Sequence, residues 1–565
     1  LHSTTQFFGE NIPIYWNYTL PDSDYQVSIE NLTRVLGLEV PLMSRIRLLI
    51  HGYYMPLSVL WKGAHNFYNT AMNLYLNSGS IKSLFTQPTM PRFKTSSETL
   101  VTKHSLANYL GIPIGFDLRD TKDEFVSALP FMAYALINKC YETRRYLMSQ
   151  TEQKKWFTQD EAAWRLPASG FVGSSFENPE FVGSSISLNT ILNRYYADDY
   201  FSSARPSPQA GDPPTITFGT ASIEAQADLA GSRLGTAHLG AEAFEPKTLF
   251  ASSDPSSFSS SAGSPNQTKI TQVDHNAEFY NQLQYRNNSN TESLEIFNAD
   301  DGTQLFPVTI DNVALGFTLN QLRELNSATV ELERMNRLDG SYTEYVQAFF
   351  GDRPSHSDKY RPTYFGGCYA PVVVSEVLQT SSTDSEPSPL GSSAGHGISS
   401  SSNYLGTFHS NDFGIMMICA SYIPDVMYHQ GLDKKFSLQL QEEFPLPTRV
   451  GLGPEPILKK EIYAASNNPN DLFAYQDRFD SWRYEQNKVS GYLSDPDSLS
   501  YFPYTQVRHF SSEPTYSDST FRLSQQNINL SAFMAPEEPP FISQYAIKIN
   551  AVMPLPYRGI PEGLF

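Results

Sequence analysis

The stretch from Tyr342 to Thr380, YTEYVQAFFGDRPSHSDKYRPTYFGGCYAPVVVSEVLQT, narrows what this chain can fold into. Its first part, Ser341 to Phe350, is short, aromatic and helix-like, and Gly351, Pro354 and Pro362 stop any continuation. Gly366-Gly367 reads as a tight turn. Tyr369 to Gln379 then follows, rich in valine, and β-branched side chains suit a pleated, packed strand. Strand signals recur toward both ends. Ile12 to Leu20 alternates around Ile14, Trp16 and Tyr18, and Pro21-Asp22 turns it. Tyr25 to Val35 alternates through Val27 and Ile29, and Ile46 to Met55 is a third run closed by Pro56. Phe413 to Tyr422 is strongly apolar, and Gln544 to Met553 sets Tyr545, Ile547 and Ile549 against Lys548 and Asn550. This period of two predicts antiparallel strands. Helices are expected at Trp61 to Tyr75, at Phe131 to Ser149 behind Pro130, and at Phe317 to Met335. Ser381 to Ser402, rich in Ser and Gly, reads as a loop.

Composition sharpens the reading at three points. Aromatics reach 13% while charged residues are only 18%, which favours sheets and a surface partly covered by neighbours. The net charge of −19 lacks the basic footprint of a dedicated nucleic-acid binder, so any such contact must be local or use a basic partner. Cys140, Cys368 and Cys419 match no zinc or redox spacing and are expected reduced. No run approaches the ~20 apolar residues of a membrane span. The start, LHSTTQFF, lacks the regions of a signal peptide, so a soluble product made in a cytoplasm is expected.

No catalytic apparatus emerges. Gly391-Ser392-Ser393-Ala394-Gly395 fits G-x-S-x-G, a pattern that needs its serine on a strand-to-helix turn; here Ser393 lies in a serine-rich loop with no helix signal behind it. The 11 histidines, His104, His356 and His429 among them, form no ligand spacing. No catalytic, cofactor-binding or metal residue is assigned, and no cofactor is expected. Two groups could touch nucleic acid or a neighbouring chain. Arg144-Arg145, with Lys154-Lys155, lie near the end of the Phe131 helix, where they could meet phosphates or be solvated at the negative end of the helix dipole. Tyr475, Arg478, Phe479, Trp482, Arg483 and Tyr484 combine rings that can stack on bases with guanidinium groups for phosphates. The same residue types build protein–protein contacts.

Tyr342-Thr343-Glu344, Phe350-Gly351, Arg361-Pro362, Tyr364, Gly366-Gly367 and Gln379-Thr380-Ser381 resemble the signature of the major capsid proteins of microviruses, and of the gokushovirus branch in particular. Similar pieces follow in family order: Tyr53, Tyr54, Pro56 and Trp61; Ser105 to Pro113; Val126 to Phe131; Asp199 to Ala204; Lys460 to Ala464; Tyr475 to Phe479; and the last strand. Met132 departs, standing where the family usually has arginine. The resemblance implies a mainly β fold: an eight-stranded antiparallel jelly roll of the viral capsid type, with long loop insertions containing short helices. It divides the chain into first jelly-roll strands (1–60), a helical and loop insertion (61–211), a variable insertion (212–313), a helical segment (314–358) and the remaining strands and loops (359–565). It implies a non-enzymatic shell protein whose pentamers build a small icosahedral T=1 virion capsid around circular single-stranded DNA. Assembly would take place in the cytoplasm of a bacterial host, with a scaffolding protein, a pilot protein and a small basic DNA-binding protein. That last partner suits the −19 charge.

The motif matches stop between 212 and 313. This segment holds the Ser-rich run Ala251 to Pro265, yet Ala221 to Phe244, Phe279 to Tyr285 and Leu305 to Ile310 carry enough apolar residues for local order. By analogy with gokushovirus capsids it would form a surface protrusion at the threefold axis. That protrusion would meet a host receptor through residues such as Asp212, Ser252, Ser259, Asn287 and Asn290. Two other classes remain beside this one: a carbohydrate-binding β-sandwich whose aromatics serve as sugar platforms, and a serine hydrolase acting through Ser393.

Overall fold

A computed structural model describes residues 1–61, 63–68, 90–93, 100–118, 126–149, 153, 189–214, 319–338, 342–352, 361–378, 393–498 and 500–555. It also describes strand segments at 171–172, 175–177, 185–187, 223–225, 237–239, 267–269, 283–288, 293–298 and 304–309. The chain divides into two units, one of residues 1–210 with 332–565 and one of residues 211–331.

The first unit is built on eight strands: β1 (His2–Gln6), β2 (Ile12–Thr19), β3 (Ser23–Val35), β4 (Ile46–Pro56), β5 (Thr363–Leu378), β6 (Ser393–Ser410), β7 (Gly414–Pro424) and β8 (Phe541–Val552). They form one nearly closed antiparallel sheet in the order β1-β8-β3-β6-β5-β4-β7-β2. The alternating runs of the sequence are strands as expected, but the first four do not pair with one another in sequence order. β2 pairs with β7, β3 with β6 and β8, and β4 with β5 and β7. Alternation tells which face is buried, not which strand is the partner. In β3 the period of two is complete: Tyr25, Val27, Ile29 and Val35 face the core, while Gln26, Glu30 and Arg34 face out. Burying each of the larger apolar side chains contributes about 1.5–3 kcal/mol. Tyr422 closes the core. Its ring stacks on Phe541 at 3.8 Å, and its hydroxyl shares hydrogen bonds with Thr33 Oγ1 at 2.7 Å and Ser543 Oγ at 2.6 Å.

Two sequence expectations are corrected here. Gly366-Gly367 is no turn; both lie inside β5 at a shift of register against β4. A Cβ on Gly366 would stand 2.0 Å from the carbonyl oxygen of Leu405, and one on Gly406 2.2 Å from that of Phe365, so the glycines let two backbones approach. The second correction is Ser381 to Ser402. From Ser393 onward it is β6, paired with β3 and β5. Its small residues fit close contacts: a Cβ on Gly397 would meet Val35 Cγ2 at 2.4 Å, and one on Gly395 would meet Leu38 Cβ at 2.8 Å. Composition that reads as loop is here a strand squeezed against its neighbours. β1, polar and short, carried no strand signal and forms by pairing with β8.

A helical layer covers the outside of β4 and β7. All eleven residues of β7 are buried: Met416, Ile418 and Ala420 toward the barrel core, Ile415, Met417 and Cys419 toward helix α1 (Leu129–Tyr141). Every residue of α1 from Leu129 to Asn138 is buried, as expected of a helix apolar on all sides. Pro130 sits in its first turn, where a missing N–H costs nothing. Met132 is fully buried in this layer, so its position makes an apolar contact. The helix stops at Tyr141, short of the expected Ser149, and a 3-10 turn follows at Arg145–Leu147. Within the helix expected from Trp61 to Tyr75, Ala64–Tyr68 is a helical turn, and another at Leu57–Leu60 precedes it; 69–75 lie outside the described residues.

In the second unit, strands 267–269, 283–288, 293–298 and 304–309 form a four-stranded antiparallel sheet, and 223–225 pairs with 237–239. Helix α2 (Leu319–Asn336) and α3 (Tyr342–Phe350) occupy the expected helical stretches.

Candidate functional site

The aromatic and arginine group forms around a short hairpin, 455–458 with 472–476. Tyr475 lies in its second strand, and its backbone exchanges two 2.7 Å hydrogen bonds with Arg205. Phe479 is buried with a left-handed backbone, φ +62°, and leads into the helical turn Asp480–Arg483. Such a backbone costs a phenylalanine about 1–2 kcal/mol, which burial of the ring offsets. Both arginines bond within the subunit, Arg478 half-buried and Arg483 exposed. Arg478 Nε donates to the carbonyl of Gly453 at 3.1 Å, and Arg483 Nη1 donates to Asp480 Oδ1 at 2.9 Å. Tyr484 is half-buried, and burial pushes its hydroxyl pKa up. Beside the exposed Arg483, Trp482 faces solvent, its ring 6.2 Å from Phe444.

Phe444 belongs to an arm from Gly431 to Gly453 made largely of 3-10 turns. Leu432, Phe436, Leu440, Phe444, Leu446, Val450 and Leu452 are all exposed, Phe436 at 79%. The charges at its base pair internally: Lys434 with Glu455 at 2.9 Å, Lys488 with Asp433 at 2.9 Å, and Lys435 with Glu485. These three pairs close within the subunit, while the seven apolar side chains remain exposed. An exposed apolar stretch of this size marks an interaction surface. The sequence reading found Trp482 but missed the arm, whose apolar residues follow no helical or strand period.

Arg144 and Arg145 are not solvated at a helix end. Arg144 turns inward: Nη1 donates to the carbonyl of Ser202 at 3.0 Å, Nη2 reaches Asp198, and the guanidinium lies over the ring of Tyr195. Arg145 opens the 3-10 turn and is half-buried. Lys154 and Lys155 lie outside the described residues. Beside Arg144, the buried carboxylate of Glu142 meets Arg194 Nε at 2.7 Å and His51 Nδ1 at 3.8 Å. Desolvation pushes this carboxyl up, but Arg194, His51 and Tyr53 outweigh it and hold the pKa below the usual range.

The remaining candidates separate. Ser393 opens a strand that runs to Ser410, so no helix follows it and the nucleophile-elbow geometry is not formed. His104 Nε2 pairs with Glu10 at 2.8 Å, and His429 stacks on His509, its pKa lowered by burial and then by that neighbour. Among the described residues, no group of three or more His, Cys, Asp or Glu could hold a metal ion, and no helix is long and apolar enough to cross a membrane. Asp212 is exposed, and Asn287 lies in the strand Leu283–Asn288; Ser252, Ser259, Asn290 and His356 fall outside the described residues.

An eight-stranded antiparallel jelly roll with long loops, buried polar networks and an exposed apolar arm defines a shell-forming structural protein of the viral type. The chain belongs to the family described as capsid protein (F protein), whose model matches residues 1–562. It is similar to capsid protein VP1 of Chlamydia phage 1, 25% identical over 99% of this chain and 94% of that protein. It is also similar to capsid protein VP1 of Spiroplasma virus 4, 24% identical over 99% of this chain and 94% of the relative. Capsid protein VP1 of Bdellovibrio phage phiMH2K is 23% identical, over 98% and 92%. The family match therefore runs along the whole chain, as the motif resemblance to microvirus capsid proteins led one to expect, and the protein's role is structural, not enzymatic.

Proposed function

We propose that this capsid protein assembles into a small icosahedral T=1 shell around a circular single-stranded DNA genome, and that the 431–453 arm with Trp482 is a contact between copies. One observation supports the contact most directly: seven large apolar side chains of one arm stand in solvent while the charges at its base pair internally. Closed shells arise from many modest, symmetric contacts, and a surface depleted of free charge suits them. Arg478, half-buried and held by the Gly453 carbonyl, favours this role for the 475–484 group over direct DNA contact. Pentamers, a scaffolding protein, a pilot protein and a small basic DNA-binding protein complete the reading, with assembly in the host cytoplasm. The division into jelly-roll strands, helical insertions and a variable 212–313 insertion is part of the same proposal, with that insertion as the threefold protrusion that meets the host receptor.

Electron microscopy of native material tests the shell. Uniform small particles built of this chain are expected. Only monomers, even after co-expression with a scaffold, would reject it. Replacing 215–313 by a short linker should leave shells intact and reduce adsorption to host cells; unchanged adsorption would remove the insertion from attachment.

A further inference from the structure

Met427–Tyr428 runs parallel to Val507–Arg508, with Met427 opposite Val507 and Tyr428 opposite Arg508. Tyr428 and Arg508 are buried, so the alternation of a strand turns the next pair, His429 and His509, toward the outside together. Their rings stack with centroids 5.4 Å apart at 24°, and Nδ1 of His509 lies 3.3 Å from Nε2 of His429. Phe502 stands edge-on to both, at 6.5 and 6.3 Å. A hydrogen bond between two ring nitrogens needs one hydrogen. A neutral pair supplies it, and so does a pair with one added proton. With both rings charged, two N–H groups face each other, no acceptor is left between them, and like charges repel.

The charges around the pair are committed elsewhere. Arg508 turns away from it: Nη1 donates to the Tyr428 hydroxyl at 3.3 Å, Nη2 donates to the carbonyl of Thr520, and the guanidinium lies 4.5 Å from the centre of the Tyr196 ring. The Tyr428 hydroxyl donates to Asp199 at 2.7 Å. Lys488, bridged to the backbone of Tyr428, pairs with Asp433 at 2.9 Å. In the cleft that His509 lines, Glu513 pairs with Lys459 at 2.6 Å and Asp518 with Arg522 at 2.8 Å. Each of these carboxylates already has a partner, so none is left to neutralise a second proton on the pair. The pair also sits at the root of the 431–453 arm. Gln430, next to His429, clamps the residue after His509: its Nε2 donates to the Phe510 carbonyl at 2.9 Å, and the Phe510 N–H donates to its Oε1 at 2.7 Å. The Gln430 carbonyl accepts from the Ala464 N–H at 2.8 Å, and Gly431 then opens the arm.

We propose that His429 and His509 form an acid-sensitive catch at the root of the arm: when both rings are protonated they part, the clamp between Gln430 and Phe510 is pulled, and the contact between copies weakens. The inference rests on the reading of the arm as that contact, and it adds regulation by pH. Burial and then His509 lower the pKa of His429, so the folded pair takes up protons less readily than the unfolded chain, whose histidines titrate near about 6.5. Its contribution is therefore full above about pH 6.5 and is lost as pH falls through that value toward the lower folded one.

Two measurements test it. The first needs no substitution: exchange of the histidine Cε1 hydrogens, read by mass spectrometry on the unassembled full chain from about pH 5 to about pH 8. His429 should titrate below about 6.5; titration of both rings in one ordinary step near that value would overturn the catch. The second compares the dissociation of assembled particles at about pH 7.5 and about pH 5.5 by light scattering. Wild-type particles should come apart about tenfold faster in acid, and His429→Gln with His509→Gln should remove most of that difference. Equal wild-type rates at the two pH values, or an unchanged acid effect in the folded variant, would overturn the proposal. If the double variant does not fold, His509→Gln alone carries the test, since a single imidazole has no charged neighbour to part from. The arm is judged separately, by Phe436→Ala with Trp482→Ala. Normal particle yield from that variant would sink the arm as a contact, whatever the two histidines do.

Discussion

The barrel and the 431–453 arm use the same residue types in opposite ways. In the barrel core, Tyr422 faces inward with its polar atom matched: it stacks on Phe541 and its hydroxyl bonds Thr33 and Ser543. In the arm, Phe436, Leu440 and Leu452 face outward with no core of their own. The arm is held at its base by solvent-screened ion pairs, which add little to subunit stability. A region that stabilises the monomer buries its apolar surface, whereas a region that awaits a partner leaves it in water. The contrast explains how 18% charged residues can suffice, since part of the exposed surface is not meant for solvent.

Mutations can break this contrast. The largest effects belong to the barrel. Tyr422→Ala should destabilise the subunit by about 3–5 kcal/mol in chemical denaturation, since it empties a fully buried site and strands two hydroxyls. Glu142→Ala should cost a comparable ~3–5 kcal/mol, because Arg194 is left buried beside an empty place. A gentler probe is acid. The lowered pKa of Glu142 means its contribution is fully present above the unfolded carboxylate value, about 4.3, and is lost as pH falls through the lower folded value. Glu142→Gln should therefore flatten the decline of melting temperature below about pH 4.5; an unchanged acid limb would show that other carboxylates dominate. Gly366→Ala should cost about 1–3 kcal/mol, because its Cβ would stand 2.0 Å from a carbonyl oxygen. The smallest stability change is expected in the arm. Phe436→Ala with Trp482→Ala should alter subunit stability by less than about 0.5 kcal/mol per site, yet sharply lower particle yield. Equal particle yield from that double variant would erase the contrast.

Much of the barrel was legible because half-buried strands write their burial into a period of two, as in Tyr25, Val27 and Ile29. β6 was not, because close approach to Val35 and Leu38 selects glycine and serine, the residues that also build loops. Partner choice was hidden as well, since β2, β3 and β4 pair with strands far away in sequence. Of the candidate residues, the sequence showed Arg144 and Trp482 as chemically capable but not their settings: one turned into a cleft, the other standing in solvent.

β8 lies between β1 and β3, though roughly 500 residues of synthesis separate β3 from it. At about 5–20 residues per second, the gap lasts roughly half a minute to two minutes on the ribosome. Through that interval β1 has no neighbour to pair with, and one side of β3 stays open. A truncated or half-made chain thus has no finished barrel to offer other subunits. The arrival of one late strand acts as a clock, and only chains that have run it out become building blocks.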